Sequence, residues 1–230
     1  MTIVLLNTIR KLIEKVITEH LQFHVAKIDF IHPSQLGGLK FKSTTDAGVT
    51  LTHIIRSGWI KNKTTSILAF DIVQFFPSLN YHMLVLSLAK VGLEPKVISF
   101  FKDFLVKRKT NYTWNKFSSQ MFKVNVGVGQ GSALSPILSA LYLSPLIYIL
   151  EKHLKTLKIP VSLLSFVDVG LLILQYKSID ILNSQLFCSY NILSSLLDKF
   201  ELNIEHSKTE TFHFNRSHGI FNPPPLDLSP

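Results

Sequence analysis

Two runs of this sequence share one grammar, and both end in aspartate. Residues 64–71 read TTSILAFD and residues 161–168 read VSLLSFVD. Each is an apolar, strand-compatible stretch closed by a carboxylate, Asp71 in one and Asp168 in the other. An acidic group at the end of a buried strand is costly without a partner. A divalent metal is one such partner. If the two strands neighbour each other in a sheet, their carboxylates can share a cation. Val169 follows Asp168 directly, where one more carboxylate would strengthen such a site.

The rest of the chain supplies helices around these strands. Leu12, Ile13, Val16, Ile17 and Leu21 recur at helical spacing over residues 7–22, with Arg10, Lys11, Glu14, Lys15 and Glu19 on the opposite face. Residues 23–42 are irregular, punctuated by Pro33 and Gly37-Gly38, and made basic by Lys40 and Lys42. Ser43 or Thr44 caps a second helix, with Asp46 in its first turn. After Asp71, Pro77 and Ser78 mark a turn. Asn80 caps a helix ended by Gly92, and Pro95 starts another. Lys107-Arg108-Lys109 reads either as a solvated helix C-terminus or as a phosphate contact. Residues 110–126 form a hairpin through Asn115 to Gln120. The GVGQG run at 127–131 demands backbone shapes or close approaches that side chains forbid. Ser132 caps the apolar helix that follows. Gly170 turns the Asp168 strand into its partner, residues 171–176. A helix over 178–200 and one or two strands over 202–214, with Lys208 at their junction, complete an α+β layer. The Pro-rich tail, 215–230, reads as a linker.

Composition narrows the partners. The chain has 230 residues, 47% of them apolar, enough for a substantial core. Charged residues are only 17%, so some surface is expected to meet further protein. The formal charge of +9 favours an anionic partner such as nucleic acid. A single cysteine, Cys188, excludes an internal disulfide framework and a multi-cysteine zinc site, and fits a reducing, intracellular compartment. No signal peptide is evident. Residues 132–150 lack charge over nearly a membrane-spanning length. Pro136, Pro145 and frequent hydroxyl side chains favour a buried helix there, and a small membrane protein is the lesser alternative.

Taken in order, these segments resemble the reverse-transcriptase domain of non-LTR (LINE-type) retrotransposons, the fungal kind especially. QLGGLKFKSTTDA (35–47), AFDIVQFFPSLN (69–80), GVGQGSALSPILSALYL (127–143), SFVDVG (165–170) and IEHSKTETFHF (204–214) carry the resemblance. It implies a right-hand polymerase palm plus partial fingers. Residues 1–63 would be partial fingers, 64–214 the palm with inserted finger helices. It implies Asp71 and Asp168 as ligands of two Mg²⁺ (or Mn²⁺) ions and Lys208 as proton donor to leaving pyrophosphate. Phe76 would act as steric gate, and Gln130, Gly131 and Ser132 would shape the nucleotide and template pocket. RNA template, DNA primer and deoxynucleoside triphosphates are the implied partners, with Lys40, Lys42, Lys107, Arg108 and Lys109 as weaker nucleic-acid contacts. No membrane is implied, and the family would work at nuclear chromatin. The sequence departs from the family where Val169 replaces a second aspartate. It also begins after the basic finger residues expected of the family and stops before the primer grip and thumb. The expectation is therefore a truncated copy, impaired or inactive, with a non-catalytic nucleic-acid-binding remnant as the alternative.

Overall fold

The Asp71 strand, β1 (Thr64–Asp71), lies inside a four-stranded antiparallel sheet. Its neighbours are β7 (Val169–Tyr176) and β8 (Glu210–Phe214), and β6 (Ser162–Phe166) flanks β7. These are features of a computed structural model that describes residues 6–124 and 126–216. Most of the Pro-rich tail lies outside them. The described chain groups into two compact units, Met1–Phe30 with Gln74–Tyr142, and Ile31–Val73 with Leu143–Pro230.

The sheet belongs to the second unit. Strand alternation divides β1 between two faces. Ile67, register partner of Ile173, packs with Leu36, Ile55 and Leu164. Ile55 comes from α2 (Thr44–Ile60), whose start is fixed by a capping box: Ser43 and Asp46 exchange side-chain and backbone hydrogen bonds. Gly58 lets α2 approach closely, because a Cβ there would lie 2.4 Å from Thr65 Oγ1. The amide of Gln175 fastens this contact, donating to the Ile54 carbonyl. The other side of the sheet is covered by α7 (Ile179–Lys199), which buries Leu182, Leu186, Leu193, Leu196 and Leu197. The outer edge of β6 is paired too, since Leu36 N donates to Ser165 O and Ser165 N to Ser34 O, both at 2.8 Å. Covering that edge removes a template for unwanted strand addition.

The first unit is mainly helical. It holds α1 (Thr8–Lys27), the single turn α3 (Phe75–Ser78), α4 (Tyr81–Lys90) and α5 (Pro95–Val106). Asn80 caps α4 and Pro95 opens α5, as the local sequence predicts. A nested hairpin follows, with β2 (Arg108–Thr110) paired to β5 (Phe122–Val124) and β3 (Thr113–Trp114) to β4 (Phe117–Ser118). Helix α6 (Ser135–Thr156) begins in this unit and continues in the second. It is long and apolar enough to cross a membrane, yet 67% of its most apolar stretch is buried within the protein. Leu138, Leu141, Tyr142 and Leu150 are fully enclosed, which is core-helix behaviour.

Four local expectations are corrected. The strand reversal after Phe166 falls at Val167-Asp168, not at Gly170, which is a strand residue opposite Phe70. Glycine is needed there because a Cβ would lie 2.1 Å from the Phe70 ring. The residues between Asp71 and Asn80 form a helical turn, α3, instead of a simple turn. The hairpin reverses at Asn115-Lys116 instead of over Asn115 to Gln120, with Asn115 in the left-handed region at φ 52°. Helix α1 buries Glu14, Thr18, Leu21 and Val25, while Leu12, Ile13 and Val16 are exposed. The buried Glu14 carboxylate is tolerated because it is fully partnered.

Candidate active site

Asp71 and Asp168 come together through backbone hydrogen bonds. Ile72 N donates to the Asp168 carbonyl at 3.0 Å, and Glu205 N donates to the Asp71 carbonyl at 2.8 Å. Asp71 is the register partner of Val169, so the Asp168 turn sits at the same end of the sheet. Val167 holds φ 60° to make that turn, a strained choice for a β-branched residue. Gly37 backs it closely, since a Cβ there would lie 2.4 Å from Val167 N. The turn that carries Asp168 is thus held from outside as well as by its own ladder.

Lys208 joins the two aspartates from a short 3₁₀ turn, His206–Lys208. Its Nζ lies 2.6 Å from Asp71 Oδ2. Tyr190 of α7 and His206 Nδ1 are 2.8 Å apart, which ties this turn to the helix. Burial pushes the Asp168 carboxyl above the usual carboxylate range. Its own backbone N–H opposes this, the Asp71 charge adds to it, and Lys208 offsets part. The hydrogen bond to Asp71, then the Asp71 charge, hold the Lys208 ammonium above its ordinary value.

The donors here are hard oxygens, and the two carboxylates feel each other's charge. That set fits a cation such as Mg²⁺, which takes few protein ligands and completes its shell with water and phosphate. Asp71 and Asp168 would hold it. Val169, facing Asp71, offers no donor. Among the described residues, no group of three or more His, Cys, Asp or Glu side chains is gathered for a metal.

The first unit gathers the other sequence-predicted residues. Phe76 lies in α3, where its carbonyl accepts from Val128 N at 2.7 Å. Gly127 N donates to the Leu79 carbonyl, and a Gly127 Cβ would lie 2.3 Å from Pro77 O. The glycine run is therefore laid directly on α3 and the residue after it. Gln130 is half-buried and Gly131 is exposed at φ 99°. Ser132 precedes α6 by three residues and does not cap it in the usual position. Its hydroxyl donates to Glu14 Oε2 at 2.5 Å and accepts from Leu134 N.

The basic residues divide. Lys107 pairs with Asp103 on α5 at 2.9 Å, and Lys109 is exposed. Arg108 Nη2 donates to the carbonyls of Val126 and Gly127, so its guanidinium is a structural brace. Burial pulls its pKa down, with the Arg10 charge contributing. Lys40 and Lys42 are exposed; hydrogen bonds from Ser43 chiefly lower the Asp46 pKa, and the Lys42 charge adds the smallest contribution. Sequence reasoning missed Glu14 and Arg10, which pair at 3.0 Å. Arg10 lies one helical turn from Glu14, but the Ser132 partner is 118 residues away and leaves no local signal of the burial of Glu14.

An antiparallel sheet that delivers two aspartates and a lysine to one end is the arrangement of a polymerase palm. The family profile described as "Reverse transcriptase (RNA-dependent DNA polymerase)" matches residues 1–223, and the chain belongs to that family. Its members use divalent metal ions and bind RNA template and nucleotides. The chain is 25% identical over 140 residues to the retrovirus-related Pol polyprotein from type-1 retrotransposable element R2 of Popillia japonica. That match covers 59% of this chain and 23% of the relative. Among solved structures, Candida albicans telomerase in complex with a TWJ fragment of telomeric RNA aligns with a TM-score of 0.67 at 14% identity, covering 89% of this chain and 36% of that one. Apo telomerase of Candida tropicalis, truncated from its C-terminal domain, gives 0.64 at 18% identity, covering 90% and 41%. These likenesses show the palm fold. The chain spans about a quarter of the curated relative's length.

Proposed function

We propose that this chain is a retrotransposon reverse-transcriptase domain of the non-LTR type, built for RNA-templated DNA synthesis and impaired at one metal ligand. The observation that carries the reading is the meeting of Asp71, Asp168 and Lys208 at one end of the sheet, with Val169 opposite Asp71. Two divalent ions held there would supply activation of the primer 3′-hydroxyl and stabilisation of charge on the departing pyrophosphate. Asp71 and Asp168 are the proposed ligands. Lys208, whose ammonium contacts Asp71, would give a proton or a charge-assisted hydrogen bond to the leaving group. Phe76, Gln130, Gly131 and Ser132 are the proposed nucleotide-contacting residues. In this reading residues 64–214 make up the palm with inserted finger helices and 1–63 partial fingers, a division by role.

The test is primer extension on an RNA template with Mg²⁺ and then Mn²⁺, comparing this chain with Val169→Asp. Extension by the variant above the unaltered chain supports the reading. Equal extension by both sinks the assignment of the defect to residue 169. Silence from both favours the second reading, a nucleic-acid-binding remnant, for which the valine at a proposed ligand position is the specific observation.

A further inference from the structure

We propose that Tyr190 and His206 are positioning residues that hold the Lys208 turn in place when the Lys208 ammonium lets go of Asp71. The proposal rests on the polymerase reading, in which Lys208 serves the leaving group, and adds two residues to that site. Three observations carry it.

The first is that the turn has no core of its own. Residues 206–209 run between two fixed points. Glu205 N is bonded to the Asp71 carbonyl, and Glu210 enters β8 opposite Ala69. None of His206, Ser207 and Lys208 is buried. Lys208 N donates to Glu205 O at 3.0 Å and Thr209 N to His206 O at 3.1 Å, in the weaker geometry of a 3₁₀ turn.

The second is that the ion pair is a poor anchor. Lys208 meets Asp71 from an exposed position, where such a pair contributes little. An ammonium that swings toward a leaving group gives up that hold.

The third is the tie that remains. Tyr190 is 3% exposed, its Oη lies 2.8 Å from His206 Nδ1, and the two rings meet edge to face. Among the described residues, this is the one side-chain hydrogen bond besides Lys208–Asp71 that joins residues 206–208 to another element. Its base is firm, because Leu186 and Leu193 are buried one helical turn to either side of Tyr190.

Tyr190→Phe is the clean test. It removes the hydroxyl, keeps the ring, and leaves only the exposed imidazole to water. Its Tm should stay near that of the unaltered chain. Hydrogen exchange at the Lys208 and Thr209 amides should nonetheless quicken, and more so with Lys208→Ala added. His206→Asn, whose amide can donate or accept in place of Nδ1, should exchange more slowly there than His206→Ala. Unchanged exchange in Tyr190→Phe, or faster exchange spread over the whole chain, would overturn the proposal. In the Val169→Asp chain, Tyr190→Phe should lower kcat for primer extension roughly tenfold to 10²-fold, with KM for the deoxynucleotide kept. The loss should disappear once Lys208→Ala is present. An equal loss with and without Lys208 would mark a general structural role and overturn the proposal too. The polymerase reading fails separately: no extension by the Val169→Asp chain removes that reading, and amide exchange still decides whether Tyr190 and His206 hold the turn.

Discussion

Asp71 faces Val169 across the last rung of the β1–β7 ladder, so the residue that cannot bind a cation is the strand partner of one that can. Val169 is 44% exposed, leaving room for a longer polar side chain. Val169→Asp should raise metal-dependent primer extension by about 100-fold or more, since even outer-shell changes at metal sites cost 10–100-fold. Without divalent metal the same variant should melt earlier, from repulsion among three carboxylates. Single-turnover extension and thermal melts with and without Mg²⁺ check both halves.

Lys208→Ala removes the partner of Asp71 at an exposed position. Melting should hardly change, as exposed ion pairs contribute little. Extension by the Val169→Asp protein should fall by roughly 10²–10⁴-fold, the range of general-acid effects. A loss of stability as large as the loss of activity would point to a structural role instead.

Asp168 sets a pH dependence. Its carboxyl is held above the ordinary value of 3.8 in the folded state, chiefly by burial. The folded form therefore binds that proton more tightly than the unfolded form. The associated stability is fully present below the unfolded value and is lost as pH rises through the folded one. At neutral pH the ionised carboxylate weakens the fold, so Asp168→Asn should raise Tm there. The gain should vanish near pH 3.8. Mg²⁺ should stabilise the unaltered chain and not the variant, as melts across pH and metal concentration will show.

Glu14→Ala strands the Ser132 hydroxyl and the Arg10 guanidinium. It should destabilise the protein by about 1–3 kcal/mol in urea unfolding. Glu14→Gln, which keeps an acceptor for Ser132, should lose less.

The elements themselves were mostly legible, because their signals are local. Ser43 with Asp46, Asn80 and Pro95 announce helix starts within one turn of sequence. The Asp71 and Asp168 strands were legible as apolar runs, and the order of motifs marked the family. The Val167-Asp168 reversal was not, since SFVDVGLL is an unbroken strand-like run and its glycine invited a turn one pair too late. Only the Phe70 ring, brought from another strand, explains that glycine. The burial of Glu14 was equally hidden, because the α1 sequence has its apolar stripe elsewhere.

Gly170→Ala tests the Phe70 contact. The added methyl should displace the ring and cost about 1–3 kcal/mol. Phe70→Leu in the same chain should recover part of it, measured as a double-mutant cycle.

β1 is the first strand of its sheet to leave the ribosome, yet it ends between two others. Both of its partners, β7 and β8, are made about a hundred or more residues later. Through that interval its two edges stay open and its apolar face has no sheet to join. The same placement that brings Asp71 beside the Asp168 turn thus makes synthesis the hazardous phase of this protein's life. Slow translation between residues 71 and 169 would lengthen the exposure, and a holding chaperone that binds short apolar segments would find its target in TTSILAF.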